Sequence, residues 1–269
     1  MDLDMHEHPA TQKAIQQLVM RDNIQIPAQE GELASGLQGI GRMQEPDQIV
    51  DFLEKDLGAK MPLIGQKILI TAGSTYESID PVRYIGNHSS GKMGYAIANE
   101  AASRGAEVVL VSGPSDEIPI HPAIKLVRAY TTDEMLEACL QDFNDCNILV
   151  MAAAVADFKP KNLMKNKIKK SEKTLSVELV KTVDILQQLG EKKSNQFIVG
   201  FSLETENGLA NAKTKLQKKN LDAIVLNSLA DKGAGFQHNT NKITFIPAKG
   251  KHKTYPLKHK SEVAVDILD

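Results

Sequence analysis

The 269-residue sequence predicts an α/β fold: a doubly wound, mostly parallel sheet with helices on both faces and a C-terminal antiparallel hairpin. Three observations predict it. Short, near-continuous apolar runs recur at residues 67–72, 107–112, 124–129, 147–152, 197–201 and 222–227. Runs of that length read as strands buried on both faces, as in parallel sheets. Helix-periodic segments separate several of them, giving strand–helix–strand units with right-handed crossovers. Weak alternation at residues 242–246 and 254–257 then reads as a closing hairpin. The pattern is Rossmann-like, and such sheets hold ligands at the carboxyl ends of their strands.

The first sixty residues read differently. Residues 9–20 form a helix, with Pro9 in its first turn and Ile15, Leu18 and Val19 on one face. Residues 23–26 read as a short strand. Residues 30–43 carry glycines at 31, 36, 39 and 41 and read as a loop. Residues 46–57 form a second short helix, and residues 58–65 a linker. These elements are too small to bury a core of their own. The chain therefore divides into residues 1–60 and residues 61–269. In the second part, residues 89–104 read as a helix with Met93, Ile97, Ala98 and Ala101 on one face and Gly105 as its stop. Thr132 opens a helix to about Asn144, and another runs from Glu204 to Lys219.

Composition excludes several function classes. Lys and Arg total 32 and Asp and Glu total 34, a net charge of -2. That balance speaks against a general nucleic-acid binder or a polybasic membrane anchor. Aromatic residues make up only 4%, poor material for base stacking. No apolar run approaches a membrane span. Cys139 and Cys146 are too few for a disulfide framework and fit a reducing, cytoplasmic setting. The seven histidines lack metal-ligand spacing, and only His88 falls in a candidate site.

The strand ends carry the chemistry. Gly73 closes the first strand, and Ser89, Ser90, Gly91, Lys92 and Gly94 open the following helix. Glycines, hydroxyls and a helix N-terminus together suit a phosphate, against the plainer reading of a tight turn with a serine cap. The dinucleotide fingerprint G-x-G-x-x-G and the phosphate-loop pattern are both absent. After the fourth strand come Ala153, Ala154, Asp157 and Phe158. Small residues there let a ligand approach the backbone. Asp157 suits a metal, a ligand amide or hydroxyl, or simply a helix cap. Lys159, Lys161, Lys165, Lys167, Lys169, Lys170 and Lys173 fall within fifteen residues. Alternation over 167–170 places Lys167 and Lys169 on one strand face, suited to a triphosphate or acyl-phosphate transition state; a solvated charge run is the alternative. Phe201 fits a nucleobase cover or core packing equally. Asn227, at a strand end, suits a base edge or a turn. Lys213, Lys215, Lys218 and Lys219 read more simply as a solvated helix face.

Taken together, Asp80-Pro-Val-Arg-Tyr84, Asn87-His-Ser-Ser-Gly-Lys-Met-Gly94, residues 153–160, Lys167-Ile-Lys-Lys170, Gly200-Phe201, Glu204-Thr205, Lys219-Asn-Leu-Asp222, Gly235-Phe236 and Asn241-Lys242 closely resemble bacterial phosphopantothenoylcysteine synthetase. The resemblance covers roughly residues 66–246. It implies ligation of 4′-phosphopantothenate to L-cysteine with CTP and Mg2+, through an acyl-cytidylate that releases pyrophosphate and then CMP. It implies that Asn87 holds the acyl group and Lys167 and Lys169 support the transition state. Ala153, Ala154, Asp157, Asn87 and Arg83 would bind phosphopantothenate. Gly73, Ser89, Gly91, Gly94, Asp157, Phe158, Phe201, Lys219 and Asn227 would hold the nucleotide. It further implies a homodimer in which Arg83 and the Lys167 segment serve the neighbouring subunit.

Residues 1–60 resemble the tail of phosphopantothenoylcysteine decarboxylase, on Met1-Asp-Leu-Asp-Met5, Pro9-Ala-Thr-Gln12, residues 32–36 and Gly39-Ile-Gly-Arg-Met43. Ser35 stands where that family has a proton-donating cysteine. The flavin-binding strands have no counterpart here, so neither FMN nor decarboxylation is expected of this chain. Two rival functions remain on the same core: an NAD(P)-dependent oxidoreductase and a non-catalytic nucleotide-binding subunit. The first predicts a glycine fingerprint and a Tyr-x-x-x-Lys pair, and the sequence has neither.

Overall fold

A computed structural model describes residues 1–169, 174–228 and 238–269. It contains two compact units, Met1–Pro62 and Leu63–Asp269. The first holds α1 (Leu3–Glu7), α2 (Pro9–Val19), β1 (Gln29–Glu32), β2 (Gln38–Arg42) and α3 (Pro46–Lys60). Residues 23–26, expected as a strand, are irregular, and the glycine-rich stretch expected as a loop is the β1–β2 hairpin. The hairpin pairs Gly31 with Gly39, so the glycines sit within the ladder as well as at its turn.

The second unit runs β3 (Lys67–Ala72), β4 (Tyr76–Ser78), β5 (Tyr84–Gly86), α4 (Lys92–Ser103), β6 (Glu107–Ser112), β7 (Ile124–Arg128), α5 (Thr132–Phe143) and β8 (Ile148–Met151). It continues with β9 (Phe158–Pro160), β10 (Leu179–Lys181), α6 (Ile185–Glu191), β11 (Phe197–Glu204), α7 (Gly208–Lys218) and β12 (Ala223–Ser228). It ends with β13 (Thr240–Asn241), β14 (Ile243–Pro247), β15 (Lys253–Thr254), β16 (Lys258–His259) and α8 (Lys260–Leu268).

The main sheet has eight strands in the order β15-β14-β12-β11-β8-β3-β6-β7. Six are parallel, and β14 and β15 add the expected antiparallel edge. Strand β3 shows why the sheet is doubly wound. Ile68, Ile70 and Ala72 enter a core built with α4 and α8, while Leu69 enters the opposite core built with α5, α6 and α7. Period-two alternation of wholly apolar residues needs a hydrophobic layer on each face. Cys139 lies in the second core, where burial pushes its thiol up to about 12; burial also pushes Cys146 up to about 11. The chain winds outward from β3 through β6 to β7, then returns to β8 and winds the other way to β12. The switch point therefore lies between β3 and β8.

Three further expectations change. The helix expected from Ser89 begins at Lys92, because Gly91 is its N-cap in a left-handed conformation (φ 80°). The helix expected from Glu204 begins at Gly208, because β11 extends to Glu204. Lys167 and Lys169 lie on irregular backbone rather than a strand, and both are exposed. Helix α8 had no sequence expectation. It opens on a capping box of His259 and Glu262, and buries Val263, Ala264 and Ile267.

Candidate functional site

A cavity of about 850 Å3 opens at the carboxyl ends of β3, β8, β11 and β12, at the switch point. Three loops wall it: residues 87–94, residues 151–158 and residues 181–186.

The first loop folds as it does because of two glycines. Gly91 needs its positive φ, and a side chain there would meet Ser115 Oγ at 2.8 Å. Gly94 lets α4 settle on β3: a Cβ would lie 2.6 Å from Ala72 Cβ and 2.9 Å from the Thr71 carbonyl oxygen. Ser89 Oγ accepts from the Gly91 N–H at 3.3 Å. Gly73 lies beneath, and its carbonyl accepts from Ala154 N at 2.8 Å.

The second loop is fixed by hydroxyls. Ala153 N donates to Thr71 Oγ1 at 3.1 Å, and Ala156 N to Thr75 Oγ1 at 2.9 Å. Thr182 Oγ1 donates to the Ala156 carbonyl at 2.5 Å, joining the second loop to the third. Asn87 Nδ2 donates to the Val155 carbonyl at 2.8 Å, joining the first loop to the second. Asp157 and Phe158 stay exposed on the rim.

The cavity is electropositive. Lys92, Lys181, Lys215, Lys219 and Lys260 line it, against Asp157 and Asp184. Lys215 Nζ donates to the Phe201 carbonyl at 2.7 Å. Burial, and then Lys219, lowers its ammonium below the ordinary lysine range. Lys219 Nζ lies 2.7 Å from Asp184 Oδ2. Burial works against the charge on Asp184, but Lys219 and the Gln187 N–H outweigh it and hold the carboxyl below its usual range. Burial, and then Lys92, brings Lys260 down to about 8. Among the described residues, Asn227 Oδ1 is buried without a hydrogen-bond partner, on a residue that faces the cavity. A buried acceptor left open is costly and marks a position where a ligand N–H fits.

Ser89, Gly91, Gly94, Asn87, Ala153, Ala154, Asp157, Phe158, Phe201, Lys219 and Asn227 thus share one cavity. Phe201 answers both of its readings, since it faces the cavity and also packs on the first core. Gly73, Arg83, Lys167 and Lys169 do not join them among the residues lining the cavity. The Arg83 guanidinium is paired with Asp80, whose side chain has no exposed surface. Asp80 Oδ2 accepts from Ile168 N at 3.1 Å, and Arg83 Nη1 donates to the Ile168 carbonyl at 3.4 Å. This turn therefore grips the backbone between the two lysines. Burial works against Asp80 ionising, but the N–H groups of Ile168, Val82 and Arg83 and the Arg83 guanidinium prevail and hold it at about 2. Lys170, Lys173, Gly235 and Phe236 lie outside the described residues.

Sequence reasoning missed Lys181 and Lys260, named Asn241 only within the family motif, and read Lys215 as part of a solvated helix face. For Lys215 the signal was present: it stands four residues before Lys219, beside the buried stripe of Ala212 and Leu216. Among the described residues, no three His, Cys, Asp or Glu side chains are placed to cage a metal ion, and no helix is long and apolar enough to cross a membrane.

Residues 63–269 match the family described as the DNA/pantothenate metabolism flavoprotein C-terminal domain. The whole chain is 48% identical to a cysteine/cysteine sulfinic acid decarboxylase from an unknown prokaryotic organism, covering 76% of it. It is 41% identical to the coenzyme A biosynthesis bifunctional protein CoaBC of Bacillus subtilis, and spans 66% of that protein's length. Among solved structures, 77% of the chain superposes on 94% of the C-terminal domain of a CoaBC protein, with a TM-score of 0.67 and 41% identity. The chain belongs to the DNA/pantothenate metabolism flavoprotein C-terminal domain family.

Proposed function

We propose that residues 61–269 are a CTP-dependent phosphopantothenate–cysteine ligase of coenzyme A biosynthesis. One observation carries this reading: a single cavity joins a glycine–serine loop, five lysines and an open amide acceptor. That set matches a polyphosphate, a second phosphorylated substrate and a nucleobase with an exocyclic amine. The likeness to CoaBC supports the same pathway.

The chemistry follows from the placement. A phosphopantothenate carboxylate oxygen attacks the α-phosphorus of CTP, the bond to the bridging oxygen breaks, and pyrophosphate leaves with the electron pair. Asn87 and the 153–157 loop hold the acyl end, and Lys215 and Lys219 balance phosphate charge. The cysteine amine then attacks the acyl carbon, CMP leaves, and the ammonium proton passes to solvent. Water excluded by the loops would otherwise hydrolyse the acyl-cytidylate. A magnesium ion would accompany the triphosphate, with Asp157 and Asp184 as the carboxylates that line the cavity. It would neutralise phosphate charge.

The homodimer belongs to this proposal. Val82, Tyr84, Leu163, Met164, Leu179 and Val180 leave large apolar surfaces exposed on the segments around Lys167 and Lys169. A second copy covering them would bring those lysines to its own cavity. Residues 1–60 would be the closing stretch of a decarboxylase part, as the match over the whole chain to a bifunctional relative supports.

The test is pyrophosphate release with CTP, 4′-phosphopantothenate and cysteine. Release and the amide product together support the ligase. Release with ATP alone would overturn the nucleotide assignment. The 48% identical relative favours a second reading, decarboxylation of cysteine or cysteine sulfinate. Carbon dioxide from either substrate, without pyrophosphate, would replace the ligase reading with that one.

A further inference from the structure

Glu77 is the middle residue of β4 and only 3% exposed. A position that needs only packing would carry an apolar side chain, since a buried carboxyl loses its hydration. Glu77 instead accepts twice at one oxygen. Thr132 N donates to Glu77 Oε1 at 2.8 Å, and Thr132 Oγ1 donates to the same atom at 2.7 Å. Thr132 is the first residue of α5, so the carboxyl also faces the positive end of that helix. Glu77 does not line the cavity, yet it is wired to it.

The wire is a chain of hydroxyls. Thr132 Oγ1 and Thr75 Oγ1 lie 3.2 Å apart, and both residues are fully buried. A hydroxyl has one proton, and that of Thr132 is spent on Glu77. Thr75 must therefore donate to Thr132. Its lone pair is left for Ala156 N, which donates to Thr75 Oγ1 at 2.9 Å. The groups thus point one way, from Ala156 through Thr75 and Thr132 to Glu77. Hydrogen bonds aligned in this sense strengthen one another in a dry interior. Ala156 lines the cavity within the 153–157 loop, and its carbonyl accepts from Thr182. The bonds span 55, 57 and 81 positions of sequence, so nothing local holds them.

We propose that Glu77 is a positioning residue for the ligation: through Thr132 and Thr75 it fixes the Ala156 N–H, and so sets the 153–157 loop to hold phosphopantothenate. This rests on the ligase reading for its ligand. Without the Glu77 oxygen, Thr132 can turn its proton toward Thr75, and the two hydroxyls compete to donate. Thr75 then loses its fixed direction, and Ala156 its well-aimed acceptor. The nucleotide side of the cavity does not depend on this chain. Residues 89–94 are set by Gly91, Gly94 and the Ser115 hydroxyl, which donates to the Ser90 carbonyl at 2.7 Å. Lys215 and Lys219 are set by α7. The effect of Glu77 therefore falls on the acyl substrate rather than on the nucleotide.

Calorimetry on the full chain tests this, with 4′-phosphopantothenate and CTP as separate probes. Thr75→Val should weaken phosphopantothenate binding about tenfold or more, because it leaves the Ala156 N–H unpaired. Glu77→Leu should weaken it in the same sense, and CTP binding should change far less in both. Thr75→Ser and Glu77→Gln keep the accepting oxygen and should restore most of the loss. The double variant should bind phosphopantothenate no worse than Thr75→Val alone, because both act through one chain. A purely structural role would weaken both ligands alike and make the two losses multiply. Either result overturns the proposal, as does an unchanged affinity. Site-resolved hydrogen exchange needs no ligand: the Ala156 amide should exchange about tenfold faster in both single variants than in the native chain. If Glu77→Leu fails to fold by circular dichroism, Thr132→Val takes its place in both measurements, since it cuts the chain and keeps the helix N–H on Glu77. A native chain that binds no phosphopantothenate, with faster Ala156 exchange in the variants, sinks the ligase reading alone. Unchanged exchange in a chain that turns over sinks the positioning role alone.

Discussion

Asn87 shows how one side chain can serve structure and chemistry at once. Its amide nitrogen donates to the Val155 carbonyl across the mouth of the cavity, and the residue lines that cavity. Replacing it by Asp puts an acceptor against that carbonyl. Two acceptors repel, so the 153–157 loop should lose its tie and the acyl end its anchor. Asn87→Asp should therefore bind CTP normally yet form amide at least a hundredfold more slowly, about 2.7 kcal/mol of barrier. Single-turnover assays with separate readouts for pyrophosphate and amide check it, and normal amide formation would remove Asn87 from the mechanism. Asp80 belongs to the same scale but acts on stability. Its carboxyl is held at about 2, well below its ordinary 3.8. A depressed native pKa gives stability that is complete above the unfolded value and fades as pH falls through the native one. The melting-temperature advantage of the native chain over Asp80→Asn should hold at pH 5 and close toward pH 2. A gap that is flat over that range would mean the carboxyl is not ionised in the folded state. Both residues were visible in the sequence as members of a motif. Their partners were not, because Val155 and Ile168 lie 68 and 88 positions away.

At the scale of elements, Gly94 sets how closely α4 lies on β3. Alanine there would gain about 1 kcal/mol of helix propensity. The clash works the other way: Ala72 Cβ at 2.6 Å and the Thr71 carbonyl at 2.9 Å both belong to a central strand that cannot yield. Overpacking of that kind costs about 1–3 kcal/mol, so Gly94→Ala should destabilise by a net amount of up to about 2 kcal/mol. It should also weaken CTP binding, since the helix would carry residues 89–94 with it. Urea unfolding and nucleotide titration measure the two effects, and a more stable protein would show that propensity wins. The strands were legible because parallel strands buried on both faces leave unbroken apolar runs. The helix starts were less so. Ser89 carries the composition of a cap, but Gly91, in its left-handed turn, takes that place. Helix α8 escaped notice because its buried apolar face is only three residues wide, and its partner α4 lies far back in the chain. Lys260 went unseen with it. Burial of a lysine leaves no mark on local pattern; it follows from which helix packs behind it.

The whole molecule raises the question of where Lys167 and Lys169 act. Residues of one family motif fall in two places: one set lines the cavity, and the lysine segment lies exposed at the Asp80 turn. Sequence order could not separate these, since motifs record what a site needs and not which copy supplies it. If a neighbouring subunit supplies Lys167, each cavity combines Asn87 of one chain with Lys167 of the other. Lys167→Gln alone should slow nucleotidyl transfer at least tenfold. Mixing it with Asn87→Asp then gives a decisive outcome. In a hybrid dimer, one cavity inherits both substitutions and the other inherits neither. Random exchange makes about half of the dimers hybrid, each with one intact cavity, so about a quarter of native activity should return. If each cavity used its own Lys167, both cavities of every hybrid would be damaged and mixing would restore nothing. Unfolding and refolding the two variants together, with each refolded alone as the control, separates these outcomes in one measurement of pyrophosphate release.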